Sequence, residues 1–494
     1  MGEQQFWKVK KTPAAILLFL WCTVQGQTSL SLDQAIHIAI ENNDKIHQYQ
    51  EQVQQKKYEE KSANGNFFPT VTLSGSYNHL DKPLTMDLDP IRQAMLSLQA
   101  SNQVSLASIA SQMKGGSAIT ENTSQYAAYY NAAYSALDSK LPHFIDTLKG
   151  QNYPEAAVTI VQPLFVGGKI MAGSRAGKAD RKAAEAELQK TQNEIIQETI
   201  NYWLAVVVTR DVVSVRKEVL DGMLQHQKNA ERYLAEGLIS RYHLLRAQVA
   251  VSEARRNLID AQSQNEIAVL ALRKNLNYSD SLDFTVQDSF VYIPVKDSVR
   301  VFLTSAENEQ PIYKLIDQKS MLARQKVAAQ TSALMPQIAA FGRYEVFQKY
   351  LSALEPNWIV GVTASMDLFS GLRNVNNLQA AKHLVNEVDE MKSGVHHDIS
   401  LLINKTYKEM RAAEERYLQL ENDTKLSDEN YRQAQKRFES GYGTSLEVID
   451  AQLVCEKDRI ERLLSLLNYY RSLNGLNTAS GKAEQTVTFL KTKE

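Results

Sequence analysis

Cysteine is nearly absent from this sequence, which has two in 494 residues. One of them, Cys22, lies in an N-terminal leader, so Cys455 is the only cysteine left once that leader is removed. A single cysteine excludes an internal disulfide, and we interpret Cys455 as a small buried apolar residue on a helix. Excess charge of one sign is absent too, since the net charge is −1. Without a basic field, no nucleic-acid partner is expected.

Long apolar runs are also missing beyond the N-terminus. No later window offers the ~18 apolar residues of a transmembrane helix. The first residues carry three lysines, then an apolar segment, then small residues ending at Gly26, which predicts a signal peptide over residues 1–26. Lipidation of Cys22 is the alternative, although Trp21 stands where a lipoprotein signal has a small residue. An exported chain of this kind is free, anchored, or inserted into a membrane as β-strands.

Proline is scarce and unevenly placed, with none between Pro163 and Pro294 and none after Pro356. In these stretches apolar or small residues recur at threes and fours, which predicts two helices over 170–236 and 374–440. At ~65 residues each would be on the order of 100 Å long, which is typical of coiled coils rather than ordinary globules. Each turns back into a shorter helix, and the two turns read Gly237-Leu238-Ile239-Ser240 and Gly441-Tyr442-Gly443-Thr444.

Strands and shorter helices precede the long helices. Helices are predicted over 32–61, with Ser31 or Asp33 as the N-cap, and over 297–330. The first strand alternates cleanly, with Val71, Leu73, Gly75 and Tyr77 on one face and Thr70, Thr72, Ser74 and Ser76 on the other. That pattern is typical of a strand between an apolar phase and water. Further strands are predicted over 156–165, 336–347 and 358–369.

The second and fourth strands end at two matching corners. Their residues are Leu164-Phe165-Val166-Gly167 and Leu368-Phe369-Ser370-Gly371. Glycine supplies the backbone freedom at the point where a strand changes to a helix. Each corner therefore predicts a junction between a strand and a long helix.

The chain repeats itself once. Pro69 and Pro336 are 267 residues apart, as are Tyr77 and Tyr344, whereas the two corners and the two turns are 204 apart. The difference means that the first half carries 63 extra residues between its strands, in a surface excursion over about 80–154 with a helical patch around 91–113. The predicted domains are two half-repeats, 27–296 and 297–476, and a polar, irregular tail, 477–494.

Four strands cannot close a barrel, and an open edge in lipid leaves unpaired backbone groups that cost several kcal/mol each. Two chains would give eight strands with an interior filled by side chains. Three would give twelve strands, which is wide enough for a water-filled lumen. If the chain forms a pore, the sequence therefore predicts a trimer.

The layout resembles the TolC-like outer membrane efflux proteins over about 32–476. The resemblance rests on the duplicated Leu-Phe-x-Gly corners, on the two-fold order of elements, and on Gly441 followed by Leu446-Glu447-Val448-Ile449-Asp450-Ala451. It implies a mostly α protein with membrane β-structure. Four strands per chain would contribute to a trimeric twelve-stranded β-barrel, continuous with a long periplasmic α-helical barrel. It also implies a place in the outer membrane of a Gram-negative bacterium.

The resemblance implies a channel rather than an enzyme, without cofactor or bound metal. As a homotrimer in outer membrane lipid, it would dock onto a periplasmic adaptor and an inner-membrane pump of the RND, ABC or MFS type. It would export drugs, other toxic compounds, metals or proteins, in a tripartite efflux or type I secretion system. The alternative is a secreted coiled-coil scaffold or adhesin. The pair His396-His397, beside Asp398, has no second ligand cluster and is not expected to bind a metal.

Site residues follow from the resemblance by position. Glu447 and Asp450 match acidic positions that ring the lumen at the periplasmic constriction, where they would attract cations. The alternative is that two acids in a first helical turn simply favour the helix dipole. The two turns would face the adaptor. Family members carry an arginine after the turn glycine, where this chain has Gly443, and Arg241-Tyr242-His243 also departs from the family pattern, so different closing contacts are expected.

Overall fold

The computed structural model describes residues 28–277, 284–286, 291–352 and 354–491. The predicted signal peptide, residues 1–26, and Cys22 lie outside these residues. The chain forms two compact units. The helical unit comprises the described residues up to 56 together with 181–319 and 388 to the C-terminal end, and the strand unit comprises 57–180 and 320–387.

The first half of the chain contains strands and helices in the predicted order. Its elements are β1 (Thr28–Ser29), α1 (Leu32–Asn42), α2 (Asp44–Gly65), β2 (Thr70–His79), β3 (Leu84–Asp87), α3 (Asp89–Met113), α4 (Ser124–Asp138), β4 (Ile145–Lys149), β5 (Asn152–Val166), α5 (Lys169–Ala235), α6 (Arg241–Asn275) and β6 (Phe284–Thr285).

Among the described residues, the second half has no counterparts of β1, β3, α3, α4, β4 and β6, and it ends with an additional short helix, α11. Its elements are α7 (Val299–Glu309), α8 (Pro311–Ser332), β7 (Gln337–Glu345), β8 (Trp358–Ser365), α9 (Arg373–Glu439), α10 (Ser445–Ala479) and α11 (Gln485–Lys491). In the described part of the chain, no helix is both long and apolar enough to cross a membrane.

The lengths of the paired helices establish the repeat. Helices α1 and α7 both have 11 residues, and α2 and α8 both have 22. The long helices α5 and α9 both have 67, and the return helices α6 and α10 both have 35. The two-fold internal repeat predicted from the residue offsets is therefore confirmed.

Two predicted helices are each divided in two. The helix predicted over 32–61 breaks at Asn43, whose backbone is extended, and Ser31 caps its start in a capping box with Gln34. The helix predicted over 297–330 breaks at Gln310 because the residue before a proline, here Pro311, avoids the helical conformation. Both breaks fall at the same place in the repeat.

The core of the helical unit lies among α1, α5, α7, α9 and α10. Trp203, Tyr469 and Tyr470 are among its largest fully buried side chains. The Tyr469 hydroxyl donates a hydrogen bond to the carbonyl of Ile293 over 2.7 Å, which satisfies its polar end inside the core. Burial of this apolar surface holds the long helices together within one chain.

The C-terminal tail, predicted to be irregular over 477–494, is mostly helical in its described part, which ends at residue 491. Helix α10 continues to Ala479, and α11 follows after Gly481, which has a positive φ of 85°. Ala483 and Val487 are buried in the core, and Phe489 packs against it. A polar composition concealed these apolar residues because they are spaced too widely to form an obvious run.

The strand unit contains one four-stranded antiparallel sheet in the order β2-β5-β7-β8. The central pair joins the two halves of the chain, since β5 belongs to the first and β7 to the second. Strands β2 and β8 form the edges. They run in opposite directions because each of the three neighbouring pairs is antiparallel.

The fourth strand is shorter than predicted. It was expected to run over 358–369, but β8 ends at Ser365, and Leu368 and Phe369 lie in an irregular segment. The reason is that its partner β7 begins at Gln337, opposite Ser365, so the residues after Ser365 have no backbone partners on β7. Strand β5, in contrast, passes through a bulge between Pro163 and Phe165 and continues to Val166.

The extra residues of the first half form a separate pair of hairpins between β2 and β5. Strands β3 and β4 pair with each other, and α3 and α4 lie between them in the chain. Helix α3 covers the patch predicted around 91–113. Leu96, Ala100 and Val104 are its buried apolar residues, and α3 makes its contacts with α4.

Candidate functional site

The two turns between long and return helices share one backbone design. In the first, the amides of Gly237 and Leu238 donate to the carbonyls of Leu234 and Tyr233. In the second, Gly441 and Tyr442 donate to Phe438 and Arg437. Both glycines have φ near +75°, at 72° and 79°, as a Schellman motif requires. The repeat therefore preserves the turn geometry although the side chains differ.

Gly443 fits a gap that admits no side chain. A Cβ at this position would lie 2.9 Å from the Phe438 amide nitrogen and 3.0 Å from the Cβ of Arg437. The Gly443 amide also donates to the Arg437 carbonyl over 3.0 Å. The departure from the family's arginine thus has a local cause, because the backbone of this turn folds back onto the last turn of α9.

A cleft of about 510 Å³ lies between the two turns. Most of its lining comes from the positions predicted to face an adaptor, together with aromatic residues from the ends of α5 and α9. The lining includes Tyr233, Leu238, Ile239, Ser240, Phe438, Gly441, Gly443 and Thr444. Leu238 and Tyr442 project strongly, with exposed fractions of 67% and 84%. Apolar groups at exposed turns around a cleft are suited to binding another protein.

Glu447 and Asp450 are both exposed in the first turns of α10. Glu447 takes part in the N-cap, since its amide donates to Thr444 Oγ1 over 3.2 Å, and its carboxylate lies 3.7 Å from Arg437 Nε. Glu447 thus lies in the first turn of α10, a position that suits both the constriction and the helix-dipole interpretation. At the equivalent positions of the first half, 204 residues earlier, stand His243 and Arg246.

Buried polar contacts hold the start of α10 against α5. His226 is 4% exposed, its Nε2 lies 2.7 Å from Ser445 Oγ, and its ring packs on Phe438. Burial lowers the pKa of His226 to about 4, so the ring is neutral near pH 7. One helical turn earlier on α5, Gly222 makes room for Gln452, whose side-chain amide donates to the carbonyl of Val219 over 3.0 Å.

Charged contacts continue this arrangement along α10. Arg216 pairs with Glu456, whose carboxyl is 4% exposed and whose pKa is raised by burial. On the α9 side, Asp428 accepts from Arg459 and from the Cys455 thiol, whose pKa burial raises to about 12. Cys455 is buried, as expected. The other contacts could not be predicted from the sequence because their partners are more than two hundred residues apart, or lie singly among many exposed charges.

The sheet of the strand unit has one apolar and one polar face. Paired residues share a face, and the apolar face carries Val71, Leu73, Tyr77, Val158, Ile160, Tyr344, Trp358, Val360 and Val362. The opposite face is mainly polar and carries Thr70, Thr72, Ser74, Ser76, Glu155, Thr159, Arg343, Glu345 and Thr363, together with the apolar Val161, Phe341 and Ile359. Leu73, Val360 and Val362 are each more than 60% exposed in the single chain. An apolar face this large requires a partner other than water.

The two corners differ in how strictly they need glycine. Gly167 has φ 61°, and a Cβ there would lie 2.8 Å from the carbonyl oxygen of Ser332. Gly371 has a similar φ of 63° but open space around it. Beside them, Leu164 and Phe165 are about half exposed, and Leu368 and Phe369 are more than four-fifths exposed.

Among the described residues, no group of three or more histidine, cysteine, aspartate or glutamate side chains could hold a metal ion. His396 instead stacks on Tyr313, with ring centroids 4.2 Å apart. That stacking contact gives one of the two adjacent histidines, His396, a role in packing α9 against α8.

A sequence profile of the outer membrane efflux protein family matches residues 35–277 and 316–482. The chain belongs to that family. Its members are transport proteins, and the protein accordingly resides in the outer membrane and extends into the periplasm. No curated protein sequence matches it.

Solved structures with the same fold are outer membrane channels of distant sequence. VceC from Vibrio cholerae is 14% identical, with a TM-score of 0.68 over 91% of this chain and 96% of that one. The CmeC channel of Campylobacter jejuni is 13% identical, with a TM-score of 0.67 over 99% and 96%. The MtrE channel of Neisseria gonorrhoeae, solved in an open state, is 15% identical, with a TM-score of 0.65 over 93% and 94%. At these identities the likeness extends to the fold alone.

Proposed function

We propose that three copies of this chain form an outer membrane channel that serves as the exit duct of an export system. The observation that carries the proposal is the four-stranded sheet, which has one apolar face, one polar face and two unpaired edges. In such a channel the apolar face contacts lipid and the polar face lines water. The channel identity of the structural relatives named above supports the same conclusion.

The sheet edges favour closure by identical copies. Because β2 and β8 run in opposite directions, β8 of one copy can pair antiparallel with β2 of the next in a closed ring. Three copies give twelve strands and a lumen, whereas two would give a filled interior. Closure also satisfies the backbone groups of both edges, as a hydrocarbon environment requires.

A second surface in the helical unit supports self-association. One face of α6 is buried within the chain, while the opposite face exposes apolar side chains at helical spacing. These are Tyr242, Leu245, Val249, Ile259, Ile267 and Leu270, all at least half exposed. In the trimer this stripe packs against helices of the neighbouring copy, which continues the closed ring through the helical unit.

The helix turns are the proposed docking surface for a periplasmic adaptor, which would link the channel to an inner-membrane pump of the RND, ABC or MFS type. The support is the cleft between the two turns, together with the exposed side chains of Leu238 and Tyr442 on those turns. The exported cargo would be small molecules such as drugs and toxic compounds, or proteins. The type of pump selects between tripartite efflux and type I secretion.

The constriction would be formed by Glu447 and Asp450 of three copies. Both are exposed near the start of α10, whose position is fixed by buried contacts with α5 and α9. Asp450 has the freer carboxylate, since that of Glu447 is close to Arg437. Rings of carboxylates at the narrow end of a water-filled duct attract cations.

The test is a combination of planar-bilayer recording with electrophoresis of the unheated protein. The channel proposal expects discrete conductance steps and a trimer band that migrates as a monomer after boiling. A protein that stays soluble without detergent, forms no pores and runs as a monomer would refute it, and would favour the secreted scaffold or adhesin instead. Pull-down of an adaptor and pump with the trimer would then identify the export system.

A further inference from the structure

Helix α3, in the insertion of the first half, carries an exposed apolar stripe. Its members Ile91, Met95, Leu98, Leu106, Ile109 and Met113 are 54–84% exposed. With Asn102 they follow an 11-residue repeat: Met95 is matched by Leu106, and Leu98 by Ile109. An 11-residue repeat corresponds to 3.67 residues per turn, so the stripe runs nearly straight along the helix.

The stripe is not needed for the packing of α3 against α4. The opposite side of α3 buries Leu96, Ala100 and Val104 toward α4. Arg92, which is 3% exposed, binds the Asp138 carboxylate over 2.7 Å and donates to the carbonyl of Leu141. These contacts account for the pairing of α3 with α4, and among the described residues of the chain the stripe has no partner.

The charge of the hairpin excludes several occupants. Asp89 and Arg92 are the only charged residues of α3, and both are engaged, Asp89 with His143 and with the Phe144 amide. A helix lying on a lipid surface is typically rich in Lys and Arg on its polar face, which α3 is not. Along α3 an acidic or basic partner protein would find no unengaged charge, since the exposed Lys114 and Glu121 lie beyond the C-terminal end of the helix. An equally uncharged apolar surface is the best match, and another copy of the same stripe is such a surface.

The base of the insertion is anchored beside the sheet. Lys149, the last residue of β4, forms a 2.9 Å ion pair with Glu355 in the β7–β8 connection. The same ammonium lies over the rings of Tyr153 and Tyr350. The bond with Glu355 raises the pKa of Lys149, so the pair stays ionised at neutral pH. The insertion between β2 and β5 thus leaves the sheet at the end opposite the corners. The contacts of Lys149 hold it to β5, through Tyr153, and to the β7–β8 connection, through Tyr350 and Glu355.

We propose that the α3 stripes of three copies pack against one another and cap the channel mouth at that end. The inference rests on the proposed trimer, which tethers three hairpins around one opening at an effective concentration on the order of millimolar. Asn102, the one polar member of the stripe, would meet its copies in the centre and fix the register, as buried asparagines do in coiled coils.

Disulfide crosslinking tests the contact. A Leu98→Cys variant, assembled in detergent and oxidised with copper phenanthroline, should give disulfide-linked dimers, because core positions of adjoining helices come within bonding reach. Asn131→Cys, exposed on α4 away from the stripe, is the matched control and should give none. The native Cys455 is buried and should stay unlinked.

Assembly is measured on the same samples by migration without boiling. Intact trimers in which Leu98→Cys links no better than Asn131→Cys would overturn the cap while leaving the proposed channel standing. A protein that forms no trimer would overturn both. The two failures are therefore distinguishable.

The capping role itself is tested by conductance. Oxidised Leu98→Cys channels should conduct less than reduced ones, with recovery on adding dithiothreitol. Met95→Glu with Leu98→Glu should increase conductance by charge repulsion between the stripes, while Asn131→Glu should not. Unchanged conductance in both experiments would refute the cap.

Discussion

At the scale of single residues, His226 links pH to the position of α10. Its imidazole is buried and neutral, bonded to Ser445 and packed on Phe438, with a pKa of about 4 against 6.5 for a free side chain. Below pH 6.5 His226 takes up a proton in the unfolded segment, whereas in the folded segment it stays neutral until the pH approaches 4. Stability is therefore fully present above pH 6.5 and is lost as the pH falls toward 4.

The free energy of opening the start of α10 should fall by about 3 kcal/mol between pH 7.5 and pH 4.5. Hydrogen exchange at the two pH values measures this difference. His226→Gln keeps a hydrogen-bonding group but cannot titrate, so its opening should depend much less on pH. Equal pH dependence in the two proteins would show that other groups dominate.

A second residue-scale prediction concerns the proposed constriction. Replacing Glu447 with Gln and Asp450 with Asn in every copy removes six carboxylates from the narrow passage of the trimer. The preference for cations over anions should therefore fall by about tenfold. Reversal potentials in a salt gradient provide the measurement. Glu439→Gln, an exposed acid at the end of α9, is the control. Unchanged selectivity in the double variant would assign the two acids to capping α10 only.

At the scale of elements, strand β2 allows a direct test of which face meets lipid. Leu73 and Thr72 are neighbours at the same depth on opposite faces, paired with Val158 and Thr159. Leu73→Arg should destabilise the inserted protein by about 2–4 kcal/mol, whereas Thr72→Arg should cost less than about 1 kcal/mol. Denaturant titration in vesicles, read by heat-modifiable migration, separates them. Similar costs would contradict the assignment of faces.

Most elements were predictable because they repeat a simple period. The absence of proline and the spacing of small residues gave the long helices to within two residues of their ends. The failures have separate causes. Asn43 and Gln310 divide helices whose apolar pattern continues, and the break at Gln310 follows from the adjacent Pro311. Strand β8 ends opposite the residue at which its partner β7 begins, and α11 buries apolar residues that are too few to form a period, so these two failures depend on contacts elsewhere in the chain.

The candidate site was less predictable than the fold. Both turns could be located from their glycines, and Glu447 and Asp450 from the motif beside them. The pairs His226–Ser445, Arg216–Glu456 and Gly222–Gln452 could not, since each joins α5 to α10 across more than two hundred residues. A single sequence carries no periodic signal for a contact of that kind.

At the scale of the whole molecule, assembly and sheet formation should be inseparable. In the proposed trimer, the two open edges and the α6 stripe find their partners in other copies. Dissociation of the trimer should therefore coincide with loss of β-structure, at a temperature that rises with protein concentration. Circular dichroism and unboiled electrophoresis over the same temperature range would measure both. Monomers that retain the sheet signal would contradict this coupling.

The open-edged apolar sheet also has a consequence for biogenesis. The helical unit has a core of its own within one chain, and it can fold in water once the C-terminal helices that complete this core are available. The strands cannot, because two bare edges beside an apolar face would recruit other chains and aggregate. If the proposed trimer forms, we therefore expect an escort to keep the strands apart until three chains meet at the lipid. The expected order of maturation is helices first and membrane insertion last.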